Sequence, residues 1–165
     1  CSIMLSRAVL YIVRQYVAIA SYDQALQLKP DLHQAWVNRG FALRKLERYE
    51  DAIASYDQAL AIKSDDYDTW GSKGLSLSNL GRYGDAIIAY DKVLEIKPDY
   101  ENALYNKACA YALWNKSDQA LDSLQQAINL APEQNQELAK TDTDFDNLRN
   151  DPHFQALIQP PSQKL

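Results

Sequence analysis

The chain has 165 residues, with 17 Lys plus Arg against 22 Asp plus Glu for a formal charge of -5, and 47% of it is hydrophobic. These proportions fit one folded globular domain and exclude intrinsic disorder, while five Gly and six Pro are too few for the turn-rich punctuation of an all-β chain. Without a basic cluster there is no phosphate-neutralising footprint for nucleic acid, and Cys1 and Cys109 give neither a disulfide framework nor metal-ligand spacing, which points to a reducing, cytoplasmic setting.

In chain order, the first segment is apolar from Ala8 to Ala20 but interrupted by Arg14 and Gln15. A membrane helix needs about 18 to 20 uninterrupted apolar residues, so no insertion is expected. The abrupt apolar start without an initiator Met points to sequence missing upstream, in preference to a processed and lipidated Cys1. Ile3, Met4, Leu5, Val9, Leu10, Ile12, Val13 and Val17 crowd more apolar surface here than one helix face can hide. If no upstream repeat covers it, this surface must pack against the neighbouring helices or a second chain, and a homodimer through residues 1–20 is one expected outcome.

From Ala18 onward the chain repeats itself. Ala18 to Leu26 reads AIASYDQAL, and Ala52 to Leu60 reads the same after a shift of 34 in numbering (52 - 18). His33 to Asp66 and Tyr67 to Tyr100 share 15 of 34 positions, including Trp36 with Trp70, Gly40 with Gly74 and Tyr49 with Tyr83. Glu101 to Gln134 is a third, more diverged copy. Within a copy, Trp36, Gly40, Leu43 and Leu46 form one helical stripe and Ala52, Tyr56, Ala59 and Leu60 another, so each copy predicts two amphipathic helices. The break between them falls at Glu47-Arg48, Gly81-Arg82 and Asn115-Lys116, where Gly81 and Asn115 suit a left-handed C-cap. Between copies stand Lys29-Pro30-Asp31, Lys63-Ser64-Asp65, Lys97-Pro98-Asp99 and Ala131-Pro132, where Pro stops one helix and Asp is placed to cap the next.

These residues resemble the tetratricopeptide repeat, whose 34-residue pattern of Trp, Leu, Gly, Tyr, Ala, Phe and Pro is met by Trp36, Gly40, Leu43, Ala52, Tyr56 and Ala59. The next copy matches with Trp70, Gly74, Leu77, Ala86, Tyr90 and Pro98. The third keeps Tyr111, Ala120, Ala127 and Pro132 but has Leu104 for Trp and Ala108 for Gly, a small residue where paired helices approach closely. The resemblance implies an all-α, right-handed α-solenoid of antiparallel helix pairs, a single domain with a partial repeat at 1–32, full repeats at 33–66, 67–100 and 101–134, and a cap and tail at 135–165. Ala18, Tyr22, Ala25 and Pro30 supply the second helix of the partial repeat, and its first helix reads as degenerate or truncated. Phe145, Leu148, Phe154, Leu157 and Ile158 supply the apolar face of the cap, which covers the surface a missing neighbour would.

No nucleophile–base pair, ligand cluster or phosphate loop emerges, so neither an enzyme nor a cofactor is expected. His33 and His153 read as surface or capping residues, and Cys109 as a small buried hydrophobe. The resemblance instead implies a scaffold binding an extended peptide or protein in a concave groove lined by first helices. Carried over, that groove includes Gln34, Val37, Asn38, Phe41, Arg44 and Lys45, then Asp68, Gly71, Ser72, Leu75 and Asn79, then Asn102, Tyr105, Asn106 and Cys109. Asn38 and Asn106 stand out, since a carboxamide both donates to and accepts from a peptide group. The carboxylate clamp of chaperone-binding members is missing its cations: Val37, Phe41, Ser72, Asn102 and Asn106 stand at its places. Arg39, Lys73 and Lys107 form a basic column, read as long stems covering apolar surface in preference to an acidic-partner site. Alternative roles are self-assembly through the N-terminal helix and a regulatory fragment of a larger signalling protein.

Overall fold

Once per repeat the backbone turns left-handed: Glu47 has φ 58°, Gly81 φ 72° and Asn115 φ 57°. These residues end helices in a Schellman arrangement, with Arg48 N–H donating to the Leu43 carbonyl (3.0 Å) and Glu47 N–H to that of Arg44 (3.0 Å). Lys116 and Asn115 repeat the pair on Tyr111 and Ala112 (both 2.9 Å). The computed structural model describes residues 2–159, with side chains from residue 7 onward. The readings that rested on Cys1, on the side chains of Ile3, Met4 and Leu5, and on the tail after residue 159 lie outside the described residues.

The helices are α1 (Ser2–Leu28), α2 (His33–Lys45), α3 (Tyr49–Ile62), α4 (Tyr67–Asn79), α5 (Tyr83–Ile96), α6 (Glu101–Leu113), α7 (Ser117–Leu130), α8 (Pro132–Thr141) and α9 (Pro152–Leu157), with a 3-10 turn η1 (Thr143–Leu148) between the last two. The fold is all-α, built from repeated antiparallel helix pairs, and no strand occurs among the described residues. Two compact units result, Cys1–Leu80 and Gly81–Leu165. No described helix is long and apolar enough to cross a membrane.

The partial repeat is built differently from the full ones. No separate first helix precedes its second; α1 is one helix of 27 residues. The position one period before Glu47 is Val13 (47 - 34), and a β-branched residue pays too much in the left-handed region to form the turn. The helix therefore continues. Among its described side chains only those of the later part pack, through Ile19 and Leu26, while Val9, Leu10, Tyr11, Ile12, Val13, Tyr16 and Val17 are exposed.

In the first unit Ile19, Ala42, Leu43, Ala52 and Tyr56 form a core, with Leu46 against it. Helices α2 and α3 touch at Gly40. A Cβ there would stand 2.5 Å from a ring carbon of Tyr56, itself only 1% exposed. In the second unit Ala108 occupies the register of Gly40 and Leu124 that of Tyr56, both in one buried cluster with Phe145, Leu148 and Phe154. The smaller partner leaves room for the methyl group, which is why the third copy tolerates Ala where the first has Gly.

Anchors recur with the period. Trp36 donates to the Pro30 carbonyl (2.8 Å) and Trp70 to that of Ser64 (2.9 Å), tying each first helix to the loop before it. The basic column is an ion-pair ladder: Arg39 meets Asp23, Lys73 meets Asp57 and Lys107 meets Asp91, each at 2.6 Å. Each cation also lies over an aromatic ring, Trp36, Trp70 and Tyr111 respectively. Partly exposed pairs of this kind contribute up to about 1 kcal/mol each.

Helix starts correct the sequence reading in one detail. The N-caps are Leu32, Asp66 and Tyr100, one residue after Asp31, Asp65 and Asp99, and of the three only Asp66 caps with its side chain, accepting from Thr69 N–H. In the first Lys-Pro-Asp turn His33 N–H donates to the Asp31 backbone carbonyl (3.0 Å). Asp66 Oδ2 also lies 3.0 Å from His33 Nε2, which places that histidine at a helix start.

Candidate functional site

In the first unit, α2 and α4 carry nine of the predicted groove residues apart from Val37 and Gly71, which are half-buried. Gln34 Nε2 donates to Asn38 Oδ1 (3.0 Å), so the two carboxamides are linked along one face of α2. One turn on, Phe41 is 47% exposed, with the Arg44 guanidinium and the Lys45 ammonium each 5.3 Å from its ring centre. Arg44 is half-buried, and its Nε is shielded from solvent with no acceptor. Its neighbour is the Tyr56 hydroxyl: burial pushes this phenol up, and Arg44 and then Ser72 of α4 partly offset the shift. Arg44 thus lies over Phe41 of its own helix and beside Tyr56 of α3.

The rest of the α4 set is less directed. Leu75 is half-buried, Asp68 is exposed in the first turn, and Asn79 donates to the Leu75 carbonyl (2.8 Å), using its amide on its own helix.

In the second unit the same face of α6 is covered. Asn102 is exposed beside Glu101 and Asn106 is half-buried, but Tyr105 and Cys109 are buried under the segment that follows α8. Tyr105 donates its hydroxyl to Asp142 Oδ2 (3.0 Å) and meets the edge of Phe145 at 5.8 Å. Tyr105 is therefore a correction: its place on a first helix suggested an open groove, and the chain's own cap occupies that place. Cys109 Sγ lies 3.8 Å from Asp142 Oδ2. Burial above all, then the Asp142 and Asp144 charges, pushes this thiol far up, so it keeps its proton and is a poor nucleophile. Burial and Asp142 likewise raise Asp144.

The cap is held by residues that the sequence reading passed over. Arg149 donates to the carbonyls of Ala139 (2.6 Å), Lys140 (2.8 Å) and Asp142, gathering the end of α8, and lies over Phe154. Asn147 donates to the Ala112 carbonyl (2.7 Å) and to Asn115 Oδ1 (3.2 Å), pinning η1 to the end of α6. Buried Asn135 donates to the Ala127 carbonyl (2.7 Å). Nothing periodic marks these side chains. The ladder acids Asp23, Asp57 and Asp91, by contrast, recur at the repeat period and were readable beside the basic column.

A cleft of about 610 Å³ opens between α1, α2 and α3, lined by Asp23, Leu26, Gln27, Trp36, Arg39, Ala54, Ser55 and Gln58. None of the predicted groove residues lines it. Arg39 donates there to Asp23 and to Ser55 Oγ (2.7 Å), so its charge is already paired within the chain.

Comparison with known proteins agrees with the repeat geometry. A tetratricopeptide repeat model matches residues 33–66 and 67–100, and a second model of the same description matches 89–122. None of the curated proteins compared with the chain matches it. Among solved structures, a crystal structure of MamA protein is 24% identical, covers 78% of this chain and 68% of its own, and has a TM-score of 0.69. The MamA RS-1 ArsTM double mutant is 21% identical, covering 93% and 88%, with a TM-score of 0.74. At such identities the likeness concerns the fold alone.

Proposed function

We propose, for a chain that belongs to the tetratricopeptide repeat family, that it is a non-catalytic scaffold whose first helices hold an extended segment of a partner protein. The repeats support a role in protein–protein interaction generally; the surface is our reading. One observation carries it: α2 presents Asn38, Phe41 and Arg44 along one face with Phe41 47% exposed, although an aromatic ring gains about 1.5 to 3 kcal/mol from burial. A carboxamide offers donor and acceptor to a peptide backbone, and the ring offers area to a side chain. A photo-crosslinking amino acid in place of Phe41, followed by identification of the joined peptide, tests the reading. Crosslinks spread evenly between this position and a control at Asp122 would refute it.

A second reading, self-assembly through α1, is favoured by Val9, Leu10, Ile12, Val13 and Val17, all 45% to 61% exposed. An apolar patch above a few hundred Å² commonly marks an interface. Light scattering at rising concentration separates this from the first reading, since a monomer throughout would sink it.

A further inference from the structure

Resting on that scaffold reading, we infer that the Phe41–Arg44–Lys45 patch of α2 takes an acidic segment carrying an apolar anchor, with carboxylates flanking a Phe or Leu side chain. Three observations converge on this chemistry. The first is charge. Arg39, Lys73 and Lys107 each have a carboxylate at 2.6 Å, whereas no ion pair to Arg44 or Lys45 occurs among the described residues of a chain with 22 acidic side chains. Two cations without a carboxylate, side by side at one helix end, form a local positive spot on a protein of charge -5.

The second observation is preorganisation. Arg44 lies over the Phe41 ring and beside the Tyr56 hydroxyl, and both its Nε–H and that hydroxyl are shielded from solvent without a hydrogen-bond partner. With Nε shielded, the terminal guanidinium nitrogens of this half-buried side chain are the donors left to meet an incoming carboxylate. A guanidinium fixed in this way has little rotamer freedom to lose on binding.

The third is a template within the chain. Two periods on from Phe41 and Arg44 stand Cys109 and Ala112 (41 + 68, 44 + 68). Over those two positions the chain lays its own acidic, aromatic segment, with Asp142 on Tyr105 and Cys109, Phe145 packed on Tyr105, and Asn147 bonded to the Ala112 carbonyl. On α6 the acidic segment meets a phenol and a thiol, and burial and mutual repulsion raise Asp144. On α2 the corresponding face offers two cations and an exposed ring, a better match for the same chemistry.

The test uses the full chain and a fluorescein-labelled probe, Asp-Thr-Asp-Phe-Asp-Asn-Leu, which copies residues 142–148, read by anisotropy. The probe should bind, should weaken severalfold as salt rises from about 50 to about 500 mM, and should lose roughly tenfold in affinity to Arg44→Gln with Lys45→Gln. Phe41→Ser, which leaves both cations, should weaken it comparably, and circular dichroism should show unchanged helicity in each variant. Equal binding of a probe with every Asp replaced by Asn would overturn the inference, and so would a loss confined to Tyr105→Phe, which would seat the probe where the cap lies. Absence of probe binding beside retained crosslinking of a partner at position 41 would overturn the acidic assignment while leaving the scaffold reading intact. Loss of both would remove the two together.

Discussion

Gly40→Ala sets two effects of known size against each other. In an exposed helix the change would stabilise by about 1 kcal/mol, the difference in helix propensity. Here the new Cβ meets three Tyr56 ring carbons at 2.5, 2.8 and 3.0 Å. Tyr56 is 1% exposed and packs within the α1–α3 core, so the ring has nowhere to go, and overpacking of this kind costs about 1 to 3 kcal/mol. The clash should win, giving a net loss of up to about 2 kcal/mol. The Ala108 and Leu124 pair of the third copy supplies the remedy. Tyr56→Leu alone should cost about 1 to 3 kcal/mol through lost burial, but added to Gly40→Ala it removes the clash. The double variant should therefore be more stable than the sum of the singles by about 1 kcal/mol or more, a coupling that distant sites do not show. Urea titration followed by Trp fluorescence and circular dichroism gives all four corners of the cycle. Additive singles, or a Gly40→Ala protein more stable than the parent, would refute the reasoning.

Glu47→Gly should stabilise by about 0.5 to 1 kcal/mol by relieving a left-handed residue, and Gly81→Ala should lose about 1 kcal/mol although its Cβ would meet nothing within 4 Å; thermal melts that reverse either sign would count against a conformational origin. Asp144 titrates above its ordinary 3.8, so the folded state holds its proton more tightly than the unfolded chain does, and the resulting stability is present at low pH and lost as pH rises through the raised value. Asp144→Asn should accordingly melt higher than the parent at pH 7, with the gap closing as pH falls; a constant gap would dismiss the titration. Arg149→Ala strips three carbonyls of their donor and should open the cap to limited proteolysis near residues 139–142, an outcome that an unchanged cleavage pattern would exclude. Asn38→Ala should weaken an identified partner by roughly 0.5 to 1.5 kcal/mol with helicity intact, and equal affinity would remove Asn38 from the surface.

What could be read from the sequence was whatever repeats. Trp36 and Trp70, the turn positions and the basic column all recur at one shared period, and identical neighbours impose identical geometry. Glu47 was legible as a break but not as a left-handed residue, because nothing in its chemistry announces a positive φ. The continuous α1 was harder, since it follows from the turn that Val13 fails to make. The cap lies beyond reach of periodicity: Asp142, Asn147 and Arg149 act through contacts 7 to 37 residues away, and only the folded chain shows that Asp142 and Phe145 cover Tyr105.

The ladder of Asp23–Arg39, Asp57–Lys73 and Asp91–Lys107 writes an address into each seam between a second helix and the first helix that follows. Acid and base stand 16 residues apart every time, so a transplanted repeat would bring its base to the seam before it and its acid to the seam after. Every seam uses the same polarity, and the code therefore tells an in-phase neighbour from a slipped one without telling one seam from another. Inverting a single rung, with Asp57→Lys and Lys73→Asp together, would give that seam an address of its own. Repeats carrying normal or inverted rungs could then be joined in a chosen order, with a mismatched junction bringing like charges together.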